Sequence, residues 1–236
     1  MIPDKIIRFI RQQTKGADGV VVGLSGGVDS STVAALCVQA VGKEKVFGMV
    51  MPERGVSKRQ DVADAQQLAA QLGIKTKITP INNILDSVCG VMPSLRTNKL
   101  ALGNLKARIR MILLYAAANM NNYRVAGTGN KSELMTGYFT KYGDGGVDFL
   151  PIGDLTKGEV RKLAAELGVP RQIIDKVPTA GLWKGQTDEN ELGITYDLLD
   201  RIVAGDVKGI PRDVSRRVRE LKARSDHKRR MAMVCR

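Results

Sequence analysis

Aromatic residues make up only 4% of this 236-residue chain, which has one tryptophan and one histidine. So few rings leave little platform for stacking bases, and this weighs against a nucleic-acid binder despite a formal charge of +13. Cysteine is also scarce: Cys37, Cys89 and Cys235 are an odd number with no CxxC or metal-like spacing. Neither a disulfide framework nor a zinc site is expected, and Cys37, in an apolar stretch, reads as core. No apolar run approaches the roughly 20 residues that cross a bilayer. The opening MIPDKIIRFIRQQ mixes charge into its apolar positions instead of forming a signal-peptide core. A cytoplasmic protein with no membrane partner is the expectation. Internal repeats, low-complexity tracts and linkers are missing too, so residues 1–236 read as one domain.

The positive charge is unevenly spread. Between Arg212 and Arg230 stand nine Lys or Arg against three Asp or Glu, nearly half of the excess. That segment reads as helical, and its charge fits a solvated face, a clamp on substrate phosphates or an RNA contact.

What is present is an alternation of strands and helices. After an amphipathic opening helix, Val20-Val21-Val22-Gly23-Leu24 reads as a short, fully buried strand that feeds a glycine loop. Helices are expected from Ser30 to Val41, Asp61 to Leu72 and Leu105 to Ala118. Strands are expected at Val46 to Val50, Lys75 to Ile81 and Tyr123 to Gly127. The pattern implies an α/β fold, a doubly wound parallel sheet with helices on both faces, because each parallel crossover needs a helix. From Pro151 onward the pattern is helical, with Lys157 to Leu167 and Ile210 to Arg224 as the longest pieces, and Val177 to Asn190 reads as a mobile loop. Ligands on such sheets bind beyond the carboxyl ends of the strands, so Leu24 and Val125 deliver their loops to one rim.

Between the first strand and its helix lies Ser25-Gly26-Gly27-Val28-Asp29-Ser30-Ser31. Successive backbone N–H groups and a helix N-terminus there make an anion site. The loop lacks the GK[ST] ending of a Walker A loop and the G-x-G-x-x-G of dinucleotide folds. Asp29 is a poor neighbour for phosphate unless a cation lies between them, which points to magnesium. A second stretch, Gly127 to Asp148, reads as a long loop rich in polar groups. Thr128 lies just past a strand end and Glu133 is the nearest carboxylate able to complete a magnesium site with Asp29. Lys141 and Asp148 offer opposite charges to a sugar or phosphate, although a flexible, soluble loop accounts for the same composition.

SGGVDS after a strand resembles the loop of the N-type ATP pyrophosphatases, which transfer AMP and release pyrophosphate. TGYFTKYGDGG is similar to the signature of the NAD synthetases among them. With KARIRM, KVPTAGL, DENELGITYD and the terminal HKRR, the resemblance covers nearly the whole chain. It implies a Rossmann-like fold of the adenine nucleotide alpha hydrolase kind. It also implies a ligase that joins ammonia to the nicotinate carboxylate of deamido-NAD, the last step of NAD biosynthesis, using ATP and magnesium. By the same resemblance the ATP site comprises Gly23, Leu24, Ser25, Gly26, Gly27, Val28, Asp29, Ser30, Thr128, Lys157 and Thr179, with Asp29 and Glu133 as magnesium ligands. Arg108, Lys141, Asp148, His227 and Lys228 are implied for deamido-NAD; by itself His227 fits a surface histidine equally. A homodimer is implied as well, although the apolar Leu105 to Ala118 helix reads equally as core. The chain departs from the common bacterial pattern at Gly129-Asn130, where an Asp-His pair is usual, and in a short segment after Met51-Pro52.

The implied chemistry needs no nucleophilic side chain. Asp144 is a candidate acceptor for a proton from ammonium, and the segments Phe139 to Gly146 and Val177 to Asn190 are candidate lids against water. The chain has no room for a glutaminase with its own cysteine nucleophile, so free ammonia is the expected donor. An RNA-modifying adenylating enzyme and a nucleotide sensor without turnover are the competing readings.

Overall fold

Four parallel strands form one sheet in the order β3-β2-β1-β4: β1 (Gly19–Gly23), β2 (Val46–Val50), β3 (Lys75–Ile78) and β4 (Tyr123–Ala126). The structure, a computed structural model, describes residues 2–235. Helices α1 (Ile2–Gln13), α2 (Val28–Val41), α3 (Arg59–Leu72), α4 (Asn82–Val91) and α5 (Lys99–Asn121) alternate with the strands. They are followed by α6 (Lys131–Thr136), α7 (Lys157–Glu166), α8 (Arg171–Ile174), α9 (Asp188–Leu192), α10 (Tyr196–Val203) and α11 (Arg212–Arg224).

The unbroken Val20-Val21-Val22 run is explained by a sheet covered on both faces. Side chains alternate along a strand, so Val20 and Val22 enter one core with Ile10, Leu36, Leu68 and Val160. Val21 enters a second core with Leu85, Ile109 and Val125. All three valines are fully buried. The doubly wound expectation is met: α1, α2, α3 and α7 cover one face, α4 and α5 the other. A third, smaller cluster joins Leu192, Ile194, Tyr196, Leu199 and Val218 of the carboxyl-terminal helices.

Several elements differ from the sequence reading. Strand β3 stops at Ile78 and all four residues are exposed, an edge whose lysines discourage further pairing. Thr79 still donates to the Val50 carbonyl at 2.8 Å, and then Pro80 ends the pairing. Helix α4 was not anticipated, because only Leu85 and Cys89 of NNILDSVCGV are buried and its first residues are asparagines. Helix α5 is longer than expected. Asn98 caps its start by accepting from Ala101 N–H at 3.0 Å, and Asn122, left-handed at φ 52°, ends it. The polar residues of its two ends hide them from a hydrophobic pattern. Among the described residues no helix is long and apolar enough to cross a membrane.

In this strand order β1 and β4 are neighbours, and the helix that leaves β1, α2, and the helix that leads into β4, α5, lie on opposite faces of the sheet. The loops after these two strands therefore open side by side at the carboxyl rim, the position where ligands of such sheets bind.

Candidate active site

The loop after β1 is held by its own serines. Ser25 N–H donates to Ser30 Oγ at 3.2 Å and the two hydroxyls lie 3.0 Å apart. Ser30 and Ser31 hydroxyls donate to the Gly27 carbonyl at 3.1 and 2.8 Å. Gly27, the N-cap of α2, receives no side-chain cap, so the helix opens on free N–H groups with their partial positive charge. Gly26 has φ +78° and its Cα lies against α3: a Cβ there would come 2.1 Å from the Asp61 carbonyl. No other residue fits.

Three of the sequence-predicted residues meet at this rim. The ammonium of Lys157, the first residue of α7, is 3% exposed and contacts Asp29 Oδ2, with Glu133 Oε1 at 3.5 Å. Lys157 thus places a buried positive charge beside Asp29. Asn130 donates to the other Asp29 oxygen at 3.0 Å. Burial works against the Lys157 ammonium, but Asp29 and Glu133 outweigh it and hold its pKa above the ordinary lysine value. Burial pushes the Glu133 carboxyl up to about 8, opposed by Lys157 and reinforced by the charge of Asp29. The residue that braces this cluster from behind was not legible in sequence. Asp200 of α10 accepts from Ser132 Oγ at 2.5 Å and from Gly158 N–H at 2.7 Å. It thereby pins the start of α7, and with it Lys157, beside the helix that carries Glu133.

Glu133 lies on α6, a helix inside the stretch read as a loop. Asn130 caps it by accepting from Glu133 N–H at 3.0 Å, and Glu133 Oε2 accepts from Asn130 N–H at 3.1 Å. This is a capping box, and the Asn-x-x-Glu spacing is its sequence signal. One Glu133 oxygen is thus committed to the helix and the other faces the cation.

The residues implied for the second substrate form a row along the neighbouring rim. Arg108 of α5 donates to the Lys141 carbonyl at 3.3 Å, Lys141 Nζ to the His227 carbonyl at 2.6 Å, and Lys228 Nζ to the Gly137 and Phe139 carbonyls at 2.8 and 2.7 Å. Arg108 and His227 are exposed. The segment Phe139 to Gly146 is a compact turn, with Gly143 and Gly145 N–H groups donating to the Thr140 carbonyl. Asp144 Oδ1 accepts from Thr140 N–H at 2.8 Å, and crowding by protein raises its pKa against the opposing charges of Lys228 and Arg110. Asp148 stands apart from the row. Its oxygens accept from Val125 N–H at 2.7 Å and from Tyr115 OH at 3.1 Å. Tyr115 follows Arg108 by two turns of α5.

Opposite this row, the Val177 to Asn190 segment folds over the rim, with Thr179 exposed. Its base closes through Asp188 N–H to the Pro178 carbonyl at 3.1 Å. Its tip rests on α5: Lys106 Nζ donates to the Leu182 carbonyl at 2.7 Å, and Lys99 Nζ lies 4.3 Å from the Trp183 ring centre. Lys106 is also paired at 2.7 Å with Glu53, both buried. Asp188, 4% exposed, faces the Lys157 cluster. Tyr196 OH donates to its Oδ2 at 3.1 Å, and Oδ1 has no hydrogen-bond donor.

A parallel sheet whose switch point opens on a glycine loop, two carboxylates and a buried lysine defines a Rossmann-like α/β protein of the adenine nucleotide alpha hydrolase class. Residues 2–232 match the model of the NAD synthase family. The chain belongs to that family. It is 56% identical to the NH(3)-dependent NAD(+) synthetase of Archaeoglobus fulgidus over all of this chain and 96% of the relative. It superposes on the NMN synthetase of Francisella tularensis with a TM-score of 0.93, 37% identity and coverage of 99% and 97%. The Campylobacter jejuni NH3-dependent NAD synthetase, in complex with the nitrate ion, gives a TM-score of 0.84, 35% identity and coverage of 100% and 97%.

Proposed function

We propose that the protein is an ammonia-dependent NAD synthetase, a ligase that amidates deamido-NAD through an adenylate with release of AMP and pyrophosphate. The observation that carries this reading is the meeting of Asp29, Glu133 and Lys157 beside an uncapped glycine loop, in a chain of the NAD synthase family.

The substrate carboxylate attacks the α-phosphorus of ATP, forming an acyl-phosphate bond while the bond to the leaving pyrophosphate breaks. Loop N–H groups at Gly27 to Ser30 and the Lys157 ammonium face the charge that develops on the leaving oxygens. Among the described residues no three acidic, Cys or His side chains converge as a ready metal cage. Two carboxylates suit a magnesium ion that takes its remaining ligands from triphosphate and water. Asp29 and Glu133 would hold such an ion, which would supply charge neutralisation for the pyrophosphate. Ammonia then attacks the acyl carbon, the C–N bond forms, AMP departs, and the nitrogen loses a proton, for which Asp144 is the acceptor. Thr128 and Thr179 complete the ATP site, and Arg108, Lys141, Asp148, His227 and Lys228 hold the nicotinate nucleotide. A homodimer fits the exposed apolar residues Leu100, Ile112 and Met120 along α5.

The likeness to the Francisella NMN synthetase favours a second reading, amidation of nicotinic acid mononucleotide. One experiment separates the two. The protein is given ATP, magnesium and ammonium with the dinucleotide or the mononucleotide acid, and amide, AMP and pyrophosphate are followed together, with glutamine replacing ammonium in parallel. Equal amounts of the three products from deamido-NAD and ammonium are expected. Preference for the mononucleotide moves the assignment, and no AMP with either acid removes it.

A further inference from the structure

The strongest feature outside the machinery just described is an ionic cluster behind the glycine loop. Lys176 Nζ donates to the Gly26 carbonyl at 2.9 Å and is paired with Asp61 at 2.8 Å and Asp64 at 2.5 Å. Both acids lie on α3. Asp64 is 1% exposed and also accepts from Gln60 and Gln172 amides at 2.9 and 3.1 Å. With two carboxylates of its own, the Lys176 charge is matched before any phosphate arrives. It faces the back of the loop, and it immediately precedes the Val177 to Asn190 segment.

The carbonyl it holds belongs to the Gly26–Gly27 peptide, the one link in the loop with no side chain on either flank and therefore the easiest to flip. In a trans peptide the C=O and the N–H point to opposite sides. Fixing the Gly26 carbonyl on Lys176 turns the Gly27 N–H the opposite way, toward the Ser25 hydroxyl 3.2 Å away. A flipped peptide would present a carbonyl oxygen on that side instead.

We propose that Lys176, held by Asp61 and Asp64, is a positioning residue that locks the Gly26–Gly27 peptide with its N–H toward the pyrophosphate group of the nucleotide. This rests on the ATP-dependent reading of the site, and it ties the base of the closing segment to the loop that grips the leaving group. Lys176 touches no substrate in this scheme; its effect passes through Gly27.

The test is direct binding of magnesium pyrophosphate and, separately, of AMP to full-length protein, measured by calorimetry alongside the melting temperature. For Lys176→Met, loss of a charge-assisted hydrogen bond predicts pyrophosphate binding weaker by about tenfold, with AMP binding within about twofold of the parent. Lys176→Arg, which keeps the donor and the charge, is expected to recover most of the loss. Unchanged pyrophosphate binding in Lys176→Met overturns the proposal, and so does an equal loss for AMP, which marks a general disturbance of the site. If Lys176→Met does not fold, Asp61→Asn takes its place. A partial loss confined to pyrophosphate is then expected, and no loss overturns the lock. A parent protein that binds pyrophosphate yet makes no NAD refutes the proposed activity and leaves the Lys176 comparison intact; one that binds no pyrophosphate refutes both.

Discussion

Asn130 and Asp29, 101 residues apart in sequence, are joined by a 3.0 Å hydrogen bond that crosses from the β4 loop to the β1 loop. The same Asn130 side chain accepts from Glu133 N–H. One fully buried amide therefore orients one proposed magnesium ligand directly and the other through the helix it caps.

Asn130→Ala removes both contacts. The lost cap costs about 1 kcal/mol of stability. The larger expected effect is functional: loss of an outer hydrogen bond to a ligand raises the magnesium concentration for half-maximal rate by about tenfold. A magnesium titration of the steady-state rate checks this, and an unchanged midpoint removes Asn130 from the metal argument.

Glu133 sets a pH dependence of the ligand-free protein. Its folded pKa, about 8, lies above the ordinary 4.5, so the folded state keeps a proton that the unfolded state releases. Its contribution is full below about 4.5 and is lost as the pH rises through 8. Asp29 and Lys157 flank it, and Asp188, whose carboxyl is also raised by burial, acts in the same direction. The melting temperature of the metal-free protein is expected to fall between pH 5 and 8. Glu133→Gln should flatten that slope, and an unchanged slope in the variant assigns the effect elsewhere.

Gly103 of α5 sits under the tip of the Val177 to Asn190 segment. An added Cβ would lie 3.1 Å from the Trp183 ring and 3.3 Å from Leu182. Within a helix, Gly→Ala is otherwise stabilising by roughly 1 kcal/mol. Gly103→Ala is expected to leave the melting temperature equal or higher while loosening the segment, read as faster tryptic cleavage at Lys184 and a red-shifted Trp183 emission. Unchanged cleavage means that the segment accommodates the methyl without opening.

Asp148 has a structural duty besides any role toward substrate. Asp148→Ala leaves the buried Val125 N–H without a partner, which costs about 1–3 kcal/mol. Asp148→Asn retains an acceptor for Val125 and a donor toward Tyr115, and is expected to recover most of that stability. Burial and the neighbouring Asp148 charge push the Tyr115 hydroxyl up to about 12, so it stays a neutral donor throughout the working range. Thermal melts of both variants, compared with their rates, separate the strand-end role from the substrate role.

The legible part of the molecule was its hydrophobic code. Val20 to Val22 announced a doubly covered strand, and the glycines of the β1 loop marked a close backbone approach that Gly26 fulfils against Asp61. The meeting of Asp29 with Glu133 was legible through the family resemblance. Polar bridges were not. Asp200, Lys176 and Asp64 act through hydrogen bonds and ion pairs to residues distant in sequence, and a lone Asp or Lys in a helix or loop carries no periodic signal. Helix α6 was hidden for a related reason: at six residues it shows no amphipathic repeat, and only its Asn-x-x-Glu cap betrays it.

The central place of β1 in the sheet has a consequence for how the molecule comes into being. Its partner β4 lies about a hundred residues downstream, and Lys157 must close a loop of 128 residues to reach Asp29. Such long closures contribute little until the whole chain is available, and they slow folding more than they weaken the finished fold. A growing polypeptide that has made β1, its glycine loop and α2 still lacks the carboxylate, amide and ammonium that complete the rim. Nucleotide recognition is therefore expected to switch on abruptly late in synthesis, once α7 has been made and docked, and fragments ending before Lys157 should carry an anion loop without a grip.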